Sequence, residues 1–364
     1  MIGSAGSTLE HLEPTPFNLA LSTQHSASTG GILSAPQVLV ELTRGGIVES
    51  VHRGWVAVAR PDGSLVASVG DSERVTFARS AMKPFQAVAL VESGAVDRFG
   101  FGDAELAVAC ASHNGEDRHR AVVKGMLDKL GLPVAALQAG DDEPHDEPPT
   151  RWEPEKQLAQ NCSGKHAGML AACMAKAYSV HYYDDFDHPQ QRDIKTIVSK
   201  FWRVDESAMI PGRDNCTLPA YAAPLRALAT GWASIGDPSS APAGHQAAIT
   251  RIGDAMAAEP FMVAGTGRLN TQLMTVTGGR ILAKDGAEGA LCIALRERGL
   301  GIAFKVEDGS YRSHQQISLA ILRQLDALRP DEDAQLAALW RTDLRSNRNH
   351  HVGDIVPRVE LTFA

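Results

Sequence analysis

Aromatic side chains are scarce in this chain of 364 residues, and it has neither an excess of basic charge nor a long apolar run. Aromatic residues make up 5% of the sequence, which argues against a platform for stacking nucleic-acid bases. The formal net charge of −8 argues against binding to nucleic acid or to a membrane surface. No apolar run reaches the length of a membrane span, so we expect no transmembrane helix. Residues 1–33 lack a basic start and a sustained apolar stretch, so no secretory signal is predicted.

The five cysteines are odd in number and widely scattered, at positions Cys110, Cys162, Cys173, Cys216 and Cys292. This usage is typical of reduced thiols, so it predicts a cytoplasmic protein. Apolar residues at 44% and charged residues at 21% are the proportions of an ordinary globular protein.

Strand patterns lie near both ends of the chain, and helical patterns lie between them. Alternating apolar residues from Val38 to Val69 predict a β-meander, with a turn at Arg60-Pro-Asp-Gly63. Residues 279–309 predict three short strands, and a helix is expected over residues 313–328. Most of the sequence between residues 84 and 259 has helical spacing, and the stretch 138–160, rich in Pro, Asp and Glu, predicts a surface loop.

The expected fold class is therefore α/β (α+β). One antiparallel or mixed sheet is built from both ends of the chain, flanked by helices, with a helix-rich lobe. We expect residues 1–34 to be a flexible N-terminal extension and residues 35–364 to form a single domain. Its sheet lobe covers about 35–115 and 260–364, and its helical lobe about 116–259.

The stretch "ARSAMKPFQ" places Ser80 three residues before Lys83, at the start of a helical pattern. Residues at i and i+3 share a helix face, so the lysine amine could reach the serine hydroxyl and act as its base. The alternative interpretation is that Ser80 caps the helix and Lys83 is a solvated charge. The spacing alone favours this second interpretation.

A second polar stretch, "CASHNGEDRH", follows another helical pattern and carries Ser112 and His113. These two residues could be a nucleophile and its base, or a capped turn before the next helix. Lys284, in "ILAKDGAEG", lies at a predicted strand end before a glycine-containing turn, where most lysines are simply solvated.

Two glycine-bounded polar stretches, "NCSGKHAG" and "GRDNCTLP", contain side chains of the types that bind zinc. These are Cys162, His166, Asp214 and Cys216. Their spacing fits no zinc-finger pattern, and two buried thiols are the alternative interpretation.

Taken in order, "RGGIVES", "ARSAMKPFQA", "CASHNGEDRH", "NCSGKHAGML", "GRDNCTLPAYAAPL" and "MVAGTGRLNT" resemble the rhizobial-type (class 3) L-asparaginase II family. The resemblance covers roughly residues 36–360. It implies a fold like that of serine β-lactamases and bacterial glutaminases. It also implies an amidohydrolase that converts the substrate L-asparagine to L-aspartate and ammonia, hence a role in asparagine catabolism. A homodimer is implied as well.

By motif, Ser80 and Lys83 match the family's nucleophile and its adjacent base, and Ser112 and Lys284 match a second Ser–Lys pair. A tandem of this kind makes chemical sense, because one lysine can deprotonate the attacking hydroxyl while the other pair relays a proton to the leaving ammonia. Two neighbouring lysines also lower each other's pKa, which allows one to be neutral near pH 7.

The resemblance further implies a zinc ion near the active site, held by Cys162, Lys165 and Cys216 with Asp214 alongside. A lysine must lose its proton to bind a metal, so spacing rules for Cys and His miss such a site. Arg79 is the candidate for binding the substrate α-carboxylate. Asp214 and His166 complete the predicted substrate-binding set.

Two departures and two alternative functions stand beside this hypothesis. Residues 1–34 have no counterpart in the family pattern, and Thr266 stands where some relatives carry an acid, which bears on recognition of the amino group. A β-lactam hydrolase with a Ser-x-x-Lys motif is one alternative, although no Ser-Asp-Asn or Lys-Thr-Gly motif accompanies it. A non-catalytic amino-acid-binding protein is the other.

Overall fold

The computed structural model describes residues 35–140 and 154–364. These residues contain twelve strands and twelve α-helices. The strands are β1 Gln37–Arg44, β2 Ile47–Ala59, β3 Leu65–Val69, β4 Val75–Phe77, β5 Ile210–Arg213, β6 Pro219–Pro224, β7 Ile281–Gly286, β8 Ala290–Leu295, β9 Leu300–Val306, β10 Asp343–Arg345, β11 His351–Pro357 and β12 Thr362–Phe363. The predicted N-terminal extension and residues 141–153 of the predicted loop lie outside the described residues.

The α-helices are α1 Lys83–Glu92, α2 Ala95–Arg98, α3 Asp103–Ala109, α4 Asp117–Leu130, α5 Ser163–Ala175, α6 Pro189–Trp202, α7 Leu225–Gly236, α8 Gln246–Ala258, α9 Pro260–Val263, α10 Leu269–Val276, α11 His314–Gln324 and α12 Pro330–Leu339. Short 3₁₀ helices cover Arg79–Met82, Val134–Leu137, Pro154–Leu158 and Pro238–Ser240.

The main sheet has nine strands and joins the two ends of the domain. Its central order is β10-β11-β1-β2-β9-β8-β7, with β3 on β2 and β12 on β3, and every pairing is antiparallel. The predicted meander and the three predicted strands of residues 279–309 therefore meet in one sheet, because β2 pairs with β9.

Both faces of this sheet are covered. One face carries Ala57, Leu282 and Ala303 and packs into a core shared with α1, α3, α5, α7 and α8. The other carries Val56, Ile293 and Ile302 and packs into a second core with α11 and α12. Because both faces are covered, β7 and β8 are buried along their whole length, and β8 is apolar throughout.

A second, three-stranded sheet of order β4-β6-β5 was not predicted. Its strand β4 precedes α1, and β5 and β6 lie between α6 and α7 in sequence. Its strands are short, and β5 reads Ile-Pro-Gly-Arg, a stretch with no alternation and two residues that weaken strands. This small sheet matters for the site because the loop between β5 and β6 carries Asp214 and Cys216.

The predicted fold class is confirmed: a mixed α/β arrangement with an antiparallel sheet from both chain ends, flanked by helices. The proposed division into a sheet lobe and a helical lobe stays a prediction. Among the described residues, no helix is long and apolar enough to cross a membrane.

Candidate active site

Ser80 and Lys83 lie at the join between a 3₁₀ helix and α1. The 3₁₀ helix covers Arg79–Met82, and α1 begins at Lys83 without any side-chain cap. The capping interpretation of Ser80 is therefore wrong. Lys83 is fully buried, whereas Ser80 is half-buried, and within residues 35–140 and 154–364 no partner is recorded for its hydroxyl.

The Ser112 hydroxyl lies within hydrogen-bonding distance of two buried lysines. Lys83 Nζ lies 3.0 Å from Ser112 Oγ, and Lys284 Nζ lies 2.9 Å from the same oxygen. Lys83 also donates to the Ala111 carbonyl and lies 3.1 Å from Cys162 Sγ. Of the two predicted Ser–Lys contacts, the one between Ser112 and Lys284 is present, whereas Lys83 contacts Ser112 and makes no recorded hydrogen bond to Ser80.

The loop that carries Ser112 is fixed through its backbone. Ser112 N–H donates to the Val263 carbonyl at 3.1 Å, and His113 N–H donates to the Asn161 carbonyl at 3.2 Å. These bonds tie the end of α3 to α9 on one side and to the start of α5 on the other. The fixed backbone sets the position of the Ser112 hydroxyl.

Small residues make room for Lys284 on the sheet. In the register of the strands, Lys284 faces Cys292 on β8, which faces Ala303 on β9, which in turn faces Ala57 on β2. A row of small side chains leaves space for the long lysine side chain. Lys284 is fully buried in the middle of β7, so the expectation of a solvated lysine at a strand end is wrong.

Lys284 has a carboxylate partner next to it in sequence. Its Nζ donates to Asp285 Oδ1 at 2.6 Å and to the Asp285 carbonyl at 2.7 Å. Burial lowers the pKa of Lys284 to about 8, although Asp285 opposes that shift by stabilising the ammonium form. Lys284 can therefore lose its proton at a mildly alkaline pH.

An open cleft lies beside these groups, with an empty volume of about 590 Å³. Ser80 is part of its wall, together with both predicted thiols and the charged pair Arg79 and Asp214. The remaining lining residues come from four segments of the chain: Ala139, Gly140, Gln160, Asn161, Asn215 and Ala287. Ser112, which is 9% exposed, is not among the lining residues.

Arg79 and Asp214 place one positive and one negative charge on the cleft wall. Arg79 Nε donates to Asp214 Oδ1, and a second guanidinium nitrogen lies 3.1 Å from Asn215 Oδ1. Arg79 has φ +50°, a left-handed conformation that is costly for a side chain of this size. Such strain is commonly kept at functional sites, where the surrounding structure holds it in place.

Cys162 and Cys216 line the cleft, and the buried Lys165 lies beside them. Lys165 Nζ is 3.2 Å from Cys216 Sγ, and a hydrogen bond from Cys162 lowers the pKa of Cys216 to about 5. In the described part of the chain, no three His, Cys, Asp or Glu side chains form a metal-binding group. Two thiols and an amine form a zinc donor set only with Lys165 as a deprotonated ligand, so zinc binding here would release a proton.

The chain positions these thiols through two tight local structures. Cys162 directly precedes α5, and Gly164 lets that helix approach α3, since a Cβ there would lie 2.3 Å from the Val108 carbonyl oxygen. Cys216 lies in the loop from β5 to β6, where Thr217 N–H donates to the Asp214 carbonyl at 2.9 Å. Residues far apart in sequence are brought together where the start of α5 meets the loop between β5 and β6.

A sequence model of the family described as L-asparaginase II matches residues 40–357. The chain belongs to the L-asparaginase II family. No curated protein sequence matches it.

Solved structures similar to this member of the L-asparaginase II family include a β-lactamase from Mycobacterium bovis. That match has 15% identity and a TM-score of 0.38, and it covers 76% of this chain and 95% of the other. Another is Mglu, at 16% identity and a TM-score of 0.35, covering 76% of this chain and 67% of the other. At these scores, the similarities carry no argument about activity.

Two histidines of the predicted motifs face the interior in this L-asparaginase II chain. His166 is fully buried, its Nδ1 lies 2.6 Å from the Tyr183 hydroxyl, and it is not among the residues that line the cleft. Burial lowers the pKa of His166 to about 3. His113 bonds to Ser163 Oγ at 3.0 Å and not to Ser112, so the interpretation of His113 as the base for Ser112 is wrong.

Sequence reasoning missed three residues around Lys284: Asp285, Arg268 and Asn270. The last two contact the Asp285 carboxylate from the start of α10. The signal for Asp285 was present in "AKDG", where a carboxylate follows the lysine directly. The other two lie in "GRLNT", and only the fold brings them to β7.

Proposed function

We propose that this chain is an L-asparaginase, which hydrolyses the side-chain amide of L-asparagine to L-aspartate and ammonia. The observation that carries the proposal is the meeting of two buried lysines on one serine hydroxyl, directly beside a cleft that exposes a second serine. Family membership supports the same class of reaction, an amide hydrolysis.

The charges of the cleft suit an amino acid. Arg79 offers a guanidinium for the substrate α-carboxylate, and Asp214 offers a carboxylate for the α-amino group. Both line the cleft beside Ser80, so a substrate held by its two charged groups would present its side-chain amide to that hydroxyl. In this structure Arg79 and Asp214 form an ion pair with each other.

Ser80 is the proposed nucleophile because its hydroxyl lies on the cleft wall. Neutral Lys284 takes a proton from Ser112, and Ser112 takes one from Lys83, which leaves Lys83 free to receive the proton of Ser80. Ser80 Oγ then forms a bond to the amide carbon.

The carbon–nitrogen bond breaks as Lys83 returns that proton to the departing nitrogen, and ammonia leaves. The aspartyl ester on Ser80 is next attacked by water, whose proton goes to Lys83. Lys83 gives this proton to Ser80 Oγ as the ester bond breaks, which releases aspartate and returns the hydroxyl of Ser80.

We also propose that Cys162, Lys165 and Cys216 hold a zinc ion. When bound, the ion supplies a fixed positive charge that orients Asp214 and the substrate, while the nucleophile remains a serine. A cytoplasmic location and a homodimeric state stay predictions.

The proposal is tested by incubating the purified chain with L-asparagine, L-glutamine and a chromogenic β-lactam, and measuring ammonia, aspartate and β-lactam opening. Stoichiometric ammonia and aspartate from asparagine are expected. Opening of the β-lactam without ammonia from asparagine would favour the β-lactam hydrolase. A rise in melting temperature with asparagine and no turnover would favour a binding protein.

A further inference from the structure

The three acceptors around Lys284 Nζ determine where its lone pair can point. They are Ser112 Oγ at 2.9 Å, Asp285 Oδ1 at 2.6 Å and the Asp285 carbonyl oxygen at 2.7 Å. An ammonium group has three protons, and all three would be used by these acceptors. The charged form of Lys284 is therefore fully satisfied.

The neutral amine has two protons and one lone pair. Asp285 has two acceptors, and neither can donate a proton while the carboxylate is ionised. Both amine protons are therefore taken by Asp285, and the lone pair is left facing the only one of the three partners that can donate, the Ser112 hydroxyl. A lysine without this partner would distribute its two protons and its lone pair among several orientations.

The Asp285 carboxylate is itself fixed from a different element. Asn270 Nδ2 donates to Asp285 Oδ1 at 2.7 Å, and Arg268 donates to Asp285 Oδ2 at 2.6 Å. Arg268 also donates to Asn114 Oδ1 at 3.0 Å, on the loop that carries Ser112. The same arginine thus ties the carboxylate to the loop of the serine.

We propose that Asp285 is a positioning residue that directs the lone pair of Lys284 at the Ser112 hydroxyl. This inference rests on the proposed function, in which Lys284 accepts the Ser112 proton. Asp285 does not touch the substrate or the reacting atoms. Its effect is to make the neutral lysine a correctly oriented base.

The charge of Asp285 has a second, separable effect on Lys284. A carboxylate beside an amine stabilises the ammonium form, so removing the charge makes the lysine lose its proton at lower pH. The other titratable and charged groups that face Lys284 are Lys83 on α1, Arg268 before α10, the thiols of Cys110 after α3 and Cys292 on β8, and His113. None of them supplies a second carboxylate.

Two variants separate orientation from charge. Asp285→Asn keeps the shape but removes the charge and turns one acceptor into an NH₂ donor, whereas Asp285→Glu keeps the charge and moves it by one methylene. For Asp285→Asn, the alkaline plateau of kcat/KM should fall about 10- to 100-fold, and the midpoint of its pH profile should shift to lower pH. For Asp285→Glu, the plateau should fall while the midpoint stays near that of the wild type.

The matched control is Glu332→Gln. Glu332 is another buried carboxylate, and it pairs with Arg280, which directly precedes β7. Neither residue hydrogen-bonds Lys284 or Asp285. Glu332→Gln should lower the melting temperature without changing the alkaline plateau of kcat/KM or the midpoint of its pH profile. If Asp285→Asn behaves like this control, Asp285 is only structural and the proposal is overturned.

A measurement without substrate keeps this test separate from the proposed function. Lysine labelled with ¹³C at Cε allows the titration of Lys284 to be followed by NMR, with its signal assigned by its loss in Lys284→Met. A lower midpoint in Asp285→Asn supports the influence of Asp285, and an unchanged midpoint contradicts it. If Asp285→Asn shows this shift but the wild type does not turn over asparagine, the proposed substrate fails and the contact between the two residues stands.

Discussion

At the residue scale, the unusual feature is a pair of fully buried lysines, Lys83 and Lys284, that share one hydroxyl. Buried lysines cost free energy because the ammonium group loses its water, unless partners replace that solvation. Lys284 has such a partner in Asp285, and Lys83 has the Ala111 carbonyl and the Cys162 thiol. The pKa of a buried lysine shifts readily, a property that suits a lysine acting as a base.

The pH dependence of the reaction follows from Lys284. Its pKa is lowered by burial to about 8, so the neutral form that accepts a proton grows as the pH rises through this value. We expect kcat/KM for asparagine to increase with pH and level off above pH about 8. Lys284→Arg, which cannot lose its proton, should reduce kcat/KM by roughly 100-fold or more at every pH. Comparable activity in Lys284→Arg would mean that this residue is not a base.

The motifs predicted the contact between Ser112 and Lys284, but they paired Lys83 with Ser80, whereas Lys83 contacts Ser112. A spacing of three places Ser80 and Lys83 on one side of a helical turn, yet the four rotatable bonds of lysine allow its amine to reach another partner. The partner of Lys83 is Ser112, which lies in the loop after α3. Contacts of this kind depend on packing between elements and leave no local pattern.

At the scale of elements, the site depends on how closely the 3₁₀ helix Arg79–Met82 approaches β7. Gly286 allows this approach, since a Cβ at that position would lie 2.5 Å from the Ala78 carbonyl oxygen and 3.2 Å from Arg79 Cβ. The first of these contacts is with backbone, which cannot turn aside. The 3₁₀ helix would have to move, and Ser80 and Arg79 would move with it.

Although Gly286→Ala adds only one methyl group, it should therefore both destabilise the protein and displace residues of the active site. We expect a loss of about 1–3 kcal/mol in the free energy of unfolding from overpacking, measured by urea denaturation, together with a higher KM for asparagine. The matched control is Gly125→Ala on α4, where a Cβ would have no neighbour within 4 Å. It should be neutral or stabilising by about 0.5–1 kcal/mol. Equal effects of the two substitutions would show that the close approach is unimportant.

Elements with a regular pattern were predicted well, and short ones were not. The meander, the three strands before residue 309 and the helix α11 match the predictions within a few residues, and the helical spacing between residues 84 and 259 corresponds to α1 through α8. The strands β4, β5 and β10 have only three or four residues each, too few for a period to show. Their partners, and not their own sequence, make them strands.

At the scale of the whole molecule, the proposed zinc site joins parts of the chain that are far apart in sequence. Cys162 and Lys165 belong to the start of α5, and Cys216 belongs to the loop of the small sheet. An ion that binds only the folded chain stabilises it by mass action. Zinc binding should therefore be visible in the unfolding of the entire domain.

Removal of metal with a chelator should lower the melting temperature, and added zinc should restore it, by about 2.7 kcal/mol of stability at a free concentration 100 times the Kd. Lys165→Met should abolish the response, while the exposed Lys124→Met should retain it. Metal analysis of the purified proteins provides the second measurement. Equal zinc content in wild type and Lys165→Met would exclude Lys165 as a ligand.

The central claim is that Ser80 in the cleft attacks the amide carbon of asparagine. The two lysines and Ser112 carry the protons that this reaction needs. The most direct test is to mix the protein with asparagine, quench in acid, and locate the aspartyl ester by peptide mass spectrometry. We predict an ester on Ser80 in the wild type. Ser80→Ala should show no ester and no ammonia release, and the exposed Ser239→Ala should behave as the wild type. An ester on Ser112, or full ammonia release by Ser80→Ala, would contradict the claim.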